Sequence, residues 1–309
     1  MSTQAKQSNA SLNLTGKTAV VSGATQGIGQ AVALRFAQLG VSRIFILGRN
    51  ENAGQSVCAA ARERAPDCAC DFIQADLSTL KAIKKAAQTV EERAGSGGVD
   101  YLVMSQGGPP NGLYEETADG LDKSFVVQCL SRFGLASHLA AQQVLKPGST
   151  VCSILSPGFE LATIDLEDLS LKSLKDQAVW RPKLLLSQGK RDSMVMDALT
   201  MAFNRRYPSI HFYHLFPGYV QTNAASNRAF PFPFPQLNTL FGPLLSRTIG
   251  NTPTTYADIP LFFAANPEAR KLTGWSFNER MRPIEPSGWA REVTNQDKVF
   301  QRCERFFET

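Results

Sequence analysis

Between residues 17 and 215 the chain alternates short, mostly apolar runs, β-branched in Thr18 to Ser22, with longer stretches whose apolar residues recur every three or four positions. The runs near 17–22, 43–48, 70–75, 99–104, 149–155 and 210–215 predict strands, since a strand buried on both faces is apolar throughout. The stretches near 28–40, 51–65, 78–95, 118–145 and 184–207 predict helices, the first with Ala31, Leu34, Phe36, Ala37 and Leu39 facing inward. Asn50 and Ser78 stand where N-caps are expected. Parallel strands need a crossover between them, so the alternation predicts an α/β domain with a doubly wound parallel sheet. Residues 14–309 read as a single domain, and the polar residues 1–13 as a flexible arm.

The pattern changes after Thr222. Phe230-Pro231-Phe232-Pro233-Phe234-Pro235 cannot lie inside a helix or a central strand, so residues 222–253 read as a loop. Such a loop either covers a substrate or serves as a connector or subunit contact. Helical periodicity resumes at 254–265, and Leu272 to Phe277 can form a last short strand. The C-terminal stretch 297–307, with Val299, Phe300 and Phe306, packs either on its own core or on a second copy, which leaves a homo-oligomer open.

Composition narrows the function classes. A chain of 309 residues with 43% hydrophobic content buries a large core, and a net charge of +5 without a basic stripe does not suit nucleic acid. No apolar run reaches the roughly 18 residues of a membrane span, and the N-terminus does not resemble a secretory signal. The expectation is a soluble, cytoplasmic protein that binds no membrane. Cysteines 58, 68, 70, 129, 152 and 303 are expected to be reduced and packed in the core. Cys68-Ala69-Cys70 is too closely spaced for zinc, and His138, His211 and His214 are scattered, so no metal site is expected.

The strongest chemical signal lies at the first strand–helix junction, Val20-Val21-Ser22-Gly23-Ala24-Thr25-Gln26-Gly27-Ile28-Gly29. Gly23 can adopt angles closed to other residues, Gly27 lets a phosphate approach the backbone, and Gly29 lets helix and strand pack closely. Free N–H groups at the helix start complete an anion site. After the second strand stands Arg49, where an acidic residue would bind an NAD ribose; its guanidinium suits a 2′-phosphate instead, with Asn50 adding a hydrogen bond. The implied cofactor is NADP(H).

Ser22-Gly23-Ala24-Thr25-Gln26-Gly27-Ile28-Gly29 resembles the Thr-Gly-x-x-x-Gly-Ile-Gly signature of the short-chain dehydrogenase/reductase family, and the similarity runs from about Leu14 to Phe277. In detail it resembles atypical fungal members. The resemblance implies a Rossmann-type fold with a C-terminal substrate-covering region. It also implies further cofactor contacts at Asp76-Leu77, at Gln106-Gly107, and in the turn Pro217-Gly218-Tyr219-Val220-Gln221-Thr222, where Pro217, Gly218, Val220 and Thr222 match the family pattern. The family's asparagine after the fourth strand, which ties neighbouring strands together, has no counterpart here.

The same resemblance places Ser156 at the family's catalytic serine and Gln128 at its helix asparagine, where the extra methylene disturbs a water relay. The family's Tyr-x-x-x-Lys is absent, because no tyrosine lies between Tyr114 and Tyr207. Counting back from Pro217 puts the lysine position at Lys190 or Arg191 and the tyrosine position at Leu186 or Ser187. Tyr114, Tyr219, Glu160 and Asp165 are the other groups near enough in sequence to serve as acids. The expected function is an NADP(H)-dependent oxidoreductase acting on an apolar small molecule in secondary metabolite biosynthesis, with an altered catalytic tyrosine position. A non-redox isomerase, dehydratase or cyclase on the same fold, and a cofactor-binding protein with little catalysis, stay open as alternatives.

Overall fold

The structure is a computed structural model, and it describes residues 2–108, 110–160, 163–220 and 251–308. The strands are β1 Thr18–Ser22, β2 Arg43–Gly48, β3 Ala69–Gln74, β4 Val99–Met104, β5 Leu145–Ile154, β6 His211–Leu215 and β7 Ser276–Phe277. They form one parallel sheet in the order β3-β2-β1-β4-β5-β6-β7. The winding reverses between β1 and β4, so their C-terminal ends flank a crevice of the kind that binds ligands in open α/β sheets.

Alternation of side chains across the strands makes two cores. Ala19 and Val21 of β1 join one with α2 Gly27–Gln38, α3 Glu51–Arg64 and α10 Asp258–Ala265; Val20 joins the other with α4 Leu80–Ala94, α6 Ser131–Ala141 and α8 Arg181–Arg206. Phe133 of α6 and Phe203 of α8 each lie with ring centroids 5.1 Å from Phe300 of the last helix, α12 Val293–Glu308. The C-terminal stretch therefore packs on its own core.

Four expectations need correction. The arm at 1–13 contains α1 Ser2–Asn9, whose Ala5 is buried and whose Asn9 Nδ2 donates to the Asp258 carbonyl at 2.8 Å. Its polar composition concealed it, because two asparagines anchor it: Asn266 Nδ2 also donates to the Ser8 carbonyl at 2.9 Å. The helix expected at 118–145 starts at α5 Lys123–Phe125, passes through a π turn at Val126–Leu130 and ends with α6 at Ala141. Strand β5 begins at Leu145, ahead of Pro147-Gly148, and absorbs that turn-like pair through a register shift between Val99 and Tyr101. The cap of α4 is Thr79, whose Oγ1 accepts from Ala82 N at 3.3 Å, one residue beyond Ser78. Asn50 caps α3 as expected. The loop expected at 222–253 lies mostly outside the described residues, as does Thr222; the chain is described again from Asn251 and enters α9 Pro253–Tyr256.

Candidate active site

The glycine turn stands at the crevice. Gly23 has φ +73°, and a Cβ on it would sit 2.5 Å from the Gln106 nitrogen at the end of β4. Gly27 has φ +60°. A Cβ on Gly29 would come 2.6 Å from the Gly23 carbonyl oxygen, so its absence lets α2 start directly against the turn. Gln26 is extended at the N-cap position and its side chain makes no cap bond, so it leaves the first N–H groups of α2 uncapped, as an anion site requires. Thr25 packs over the end of β2, where a Cβ on Gly48 would meet its methyl at 2.4 Å, and Ile28 is half-buried. These features fit a bound pyrophosphate.

Ser22 has a fully buried side chain. Its carbonyl accepts from Ser105 N at 3.0 Å and Ser105 Oγ at 3.1 Å. Ser105 thus joins β1 to β4, a tie that the missing asparagine had left unassigned. Arg49 is exposed at the end of β2, where it can meet a ligand. The side-chain oxygen of Asn50 serves α3, accepting from Ala53 N at 3.0 Å. Asp76 is exposed after β3, its Oδ1 accepting from Ser78 N at 3.2 Å, and Leu77 is buried.

Beyond β4 the side chains turn inward. Gln106 is buried and its Nε2 donates to Ser131 Oγ at 2.8 Å. Gly107 has φ +96°, and a Cβ there would strike the Gln128 amide at 2.5 Å. Gln128 lies in the π turn, a distortion frequent at functional sites. Its Nε2 donates to the Gly108 carbonyl and its Oε1 accepts from Arg132 at 3.2 Å. Both ends of the amide are engaged and the side chain is fully buried, so Gln128 ties the Gly108 carbonyl to Arg132. Pro217, Gly218, Tyr219 and Val220 are half-buried after β6, with Gly218 at φ +63° and Val220 bridged to Asn251.

Ser156 is half-buried, two residues beyond the end of β5. The turn that follows it is held by α8: Asp197 Oδ2 accepts from Gly158 N at 2.9 Å and Ser193 Oγ from Phe159 N at 3.0 Å. On the upstream side, buried Arg132 donates to the carbonyls of Ile154 and Gln106, each at 2.9 Å. Sequence reasoning missed Arg132, Ser193 and Asp197, since arginine and aspartate are rarely buried and their partners are distant in the chain.

Lys190 is half-buried on α8. Its alternative, Arg191, is buried away in a polar network, donating to Asp192 at 2.8 Å, Asp122 at 3.2 Å and the Leu169 carbonyl at 2.7 Å. Burial pushes the Asp192 carboxyl up to about 6 despite the opposing pull of Arg191, and raises Asp122 in the same way. Leu186 is exposed, as are Phe159 and Trp180. The other acids have structural partners: Tyr114 Oη lies 3.2 Å from Ser170 Oγ, Glu160 accepts from Gly288 N at 3.1 Å, and Asp165 accepts from Glu167 N at 2.9 Å. All six cysteines are buried with free thiols.

Residues 17–157 match the family model described as short chain dehydrogenase. Through that region the chain is similar to the short-chain dehydrogenase family, and its sheet shares the fold of solved short-chain dehydrogenase/reductases. It is 31% identical over 229 residues to Oxidoreductase AN1596 of Emericella nidulans, an alignment covering 73% of this chain and 65% of that protein. It is 30% identical over 203 residues to Oxidoreductase andH of Emericella variicolor, covering 65% and 56%. The chain thus spans less than two thirds of the length of either relative. Among solved structures, the angucycline C-6 ketoreductase LanV with bound NADP shares the fold at a TM-score of 0.62 and 22% identity, covering 87% of this chain and 95% of that one.

Proposed function

We propose that this chain is an NADP(H)-dependent oxidoreductase acting on an apolar small molecule of secondary metabolism, with an altered catalytic tyrosine position. The observation that carries this reading is the cradle at the β1/β4 crevice: left-handed Gly23 and Gly27 beside an α2 start without a side-chain cap, and exposed Arg49 at the end of β2. In this reading Gly23, Gly27, Gly29 and the first N–H groups of α2 hold the pyrophosphate. Arg49 holds the 2′-phosphate, since a planar guanidinium can donate paired N–H groups to it. Asp76 and Leu77 flank the adenine; Gly107, Pro217, Gly218 and Val220 border the nicotinamide. The NADP in the LanV structure supports the choice of cofactor.

A bound nicotinamide cofactor supplies the hydride chemistry. The chain's own part is to bind, orient and protonate. Ser156 donates its hydroxyl hydrogen to the substrate oxygen, and Lys190 holds the nicotinamide ribose. Leu186 and Ser187 offer no acid at the positions assigned to the tyrosine, so another group must supply the proton. Losing a general acid lowers turnover by roughly 10² to 10⁴. Exposed Phe159, Trp180 and Leu186 favour an apolar substrate.

The test is fluorescence titration with NADPH and NADH, followed by incubation with apolar polycyclic ketones while NADPH absorbance is monitored. The expected result is tighter binding of NADPH and its consumption as alcohol forms. Failure to bind either dinucleotide refutes the cofactor reading. Product formed without cofactor consumption refutes the redox reading.

A further inference from the structure

Past β5 the chain presents Ser156, then bends back over α8 through Pro157 and Gly158. Two side chains on α8 receive it, Asp197 at the Gly158 N–H and Ser193 at the Phe159 N–H. Residues four apart lie on one face of a helix, so a single surface takes two consecutive amides. Gly158 has φ +84°, and a Cβ there would come 2.6 Å from Ile284 Cγ2, so the bend is specified by its residue as well as by its partners.

Asp197 is itself fixed. Its Oδ1 accepts from His214 Nδ1 at 2.8 Å and lies 3.5 Å from Ser276 Oγ, on β6 and β7 respectively. A carboxylate oxygen can only accept, so Nδ1 carries the proton. The Asp197 and His214 side chains are fully buried. Replacing a buried ionic pair by apolar residues of similar volume is often neutral for stability, so the carboxylate–imidazole pair is read through the geometry it imposes. Arg132 completes the arrangement from the other side through the Ile154 carbonyl.

We propose that Asp197, oriented by His214, is a positioning residue for Ser156: with Ser193 it locks residues 156–159 so that the serine hydroxyl is preset before substrate arrives. This rests on the reading of Ser156 as the group that orients the substrate oxygen. Asp197 acts through the backbone and takes no part in proton transfer.

The test uses the full chain carrying Asp197→Ala, Asp197→Asn, Ser193→Ala, Ser156→Ala and the Asp197→Ala/Ser156→Ala double substitution. NADPH affinity, read by fluorescence, should stay within about twofold of the parent in every variant, which verifies an intact fold. Amide exchange should accelerate about tenfold or more at Gly158 in Asp197→Ala and at Phe159 in Ser193→Ala, as each loses its acceptor. Asp197→Asn, which keeps an acceptor oxygen, should recover part of the protection.

Where a ketone supports turnover, Asp197→Ala should lower kcat about tenfold with KM unchanged, and should have no further effect in the Ser156→Ala background. Unchanged exchange at Gly158 in Asp197→Ala overturns the inference whether or not turnover is seen. So does a loss that adds fully to that of Ser156→Ala. Full turnover by Ser156→Ala itself refutes the assigned role of the serine, a failure distinct from that of the clamp.

Discussion

Replacing Gly23 by alanine tests the turn on which the cofactor reading depends. Two costs can be separated. An L-residue held at φ +73° costs about 1–2 kcal/mol. The new methyl would sit 2.5 Å from Gln106 N, 2.6 Å from Gln106 Cα and 2.8 Å from the Ser105 carbonyl carbon, all backbone atoms that no rotamer change can remove. Restoring ordinary contact at about 3.4 Å requires β1 and β4 to part by about 0.9 Å, at an overpacking cost of about 1–3 kcal/mol. The strain is concentrated where Ser105 N and Oγ hold the Ser22 carbonyl. The total, about 2–5 kcal/mol, is set against an unfolding entropy of about 0.65 kcal/mol/K for this length, which gives a fall in Tm of about 3–8 °C. Thermal melts by circular dichroism should show that fall, and NADPH titration of the folded variant should show weakened binding. Gly97→Ala is the control: no atom lies within 4 Å of its Cβ position, so stability should change by no more than about 0.5 kcal/mol. A Gly23→Ala protein with the parent's Tm and the parent's NADPH affinity would refute the reasoning.

Arg49→Asp should weaken NADPH by about 10- to 100-fold, the loss of a charge-assisted contact worth about 1.5–3 kcal/mol, and leave NADH little changed. Titration of both dinucleotides checks this, and an unaltered preference would remove Arg49 from the site. Asp192 gives a pH signature. Its native carboxyl is raised from 3.8 to about 6, so its contribution to stability is complete below about pH 4 and is lost as pH rises through about 6. Asp192→Asn should therefore flatten the stability profile between pH 4 and 7, by up to about 3 kcal/mol relative to the parent. Urea midpoints for both proteins at the two pH values test this, and parallel profiles would show that the carboxyl titrates normally.

The strands and the glycine turn were legible because their signals are local. A two-sided apolar run identifies a buried strand without reference to its neighbours, and Gly23, Gly27 and Gly29 are separated by spacings that one turn explains. The N-terminal helix was concealed because its anchors, Asn9 and Asn266, lie far apart in the chain and are polar. Gln128 illustrates another limit: its position was identified, yet only the fold shows that Gly108 and Arg132 engage its amide.

The helix α8 shows why the site's chemistry was harder to read than its cofactor half. Counting back from Pro217 fixed attention on Leu186, Ser187 and Lys190, whereas the face that meets the serine turn is defined by Ser193 and Asp197. One turn before Ser193 on that face is Gly189, whose Cβ position has Pro110 Cγ at 3.6 Å as its nearest neighbour. The helix thus presents two side-chain acceptors to backbone N–H groups of the turn after Ser156, with Lys190 one turn before Ser193 beside Gly189. A linear spacing count cannot detect these two contacts, because they depend on how far α8 turns before it reaches residues 158 and 159. In the proposed function, Ser193 and Asp197 on this face of α8 keep the serine turn in place, while Leu186 and Ser187 supply no acid for the substrate oxygen.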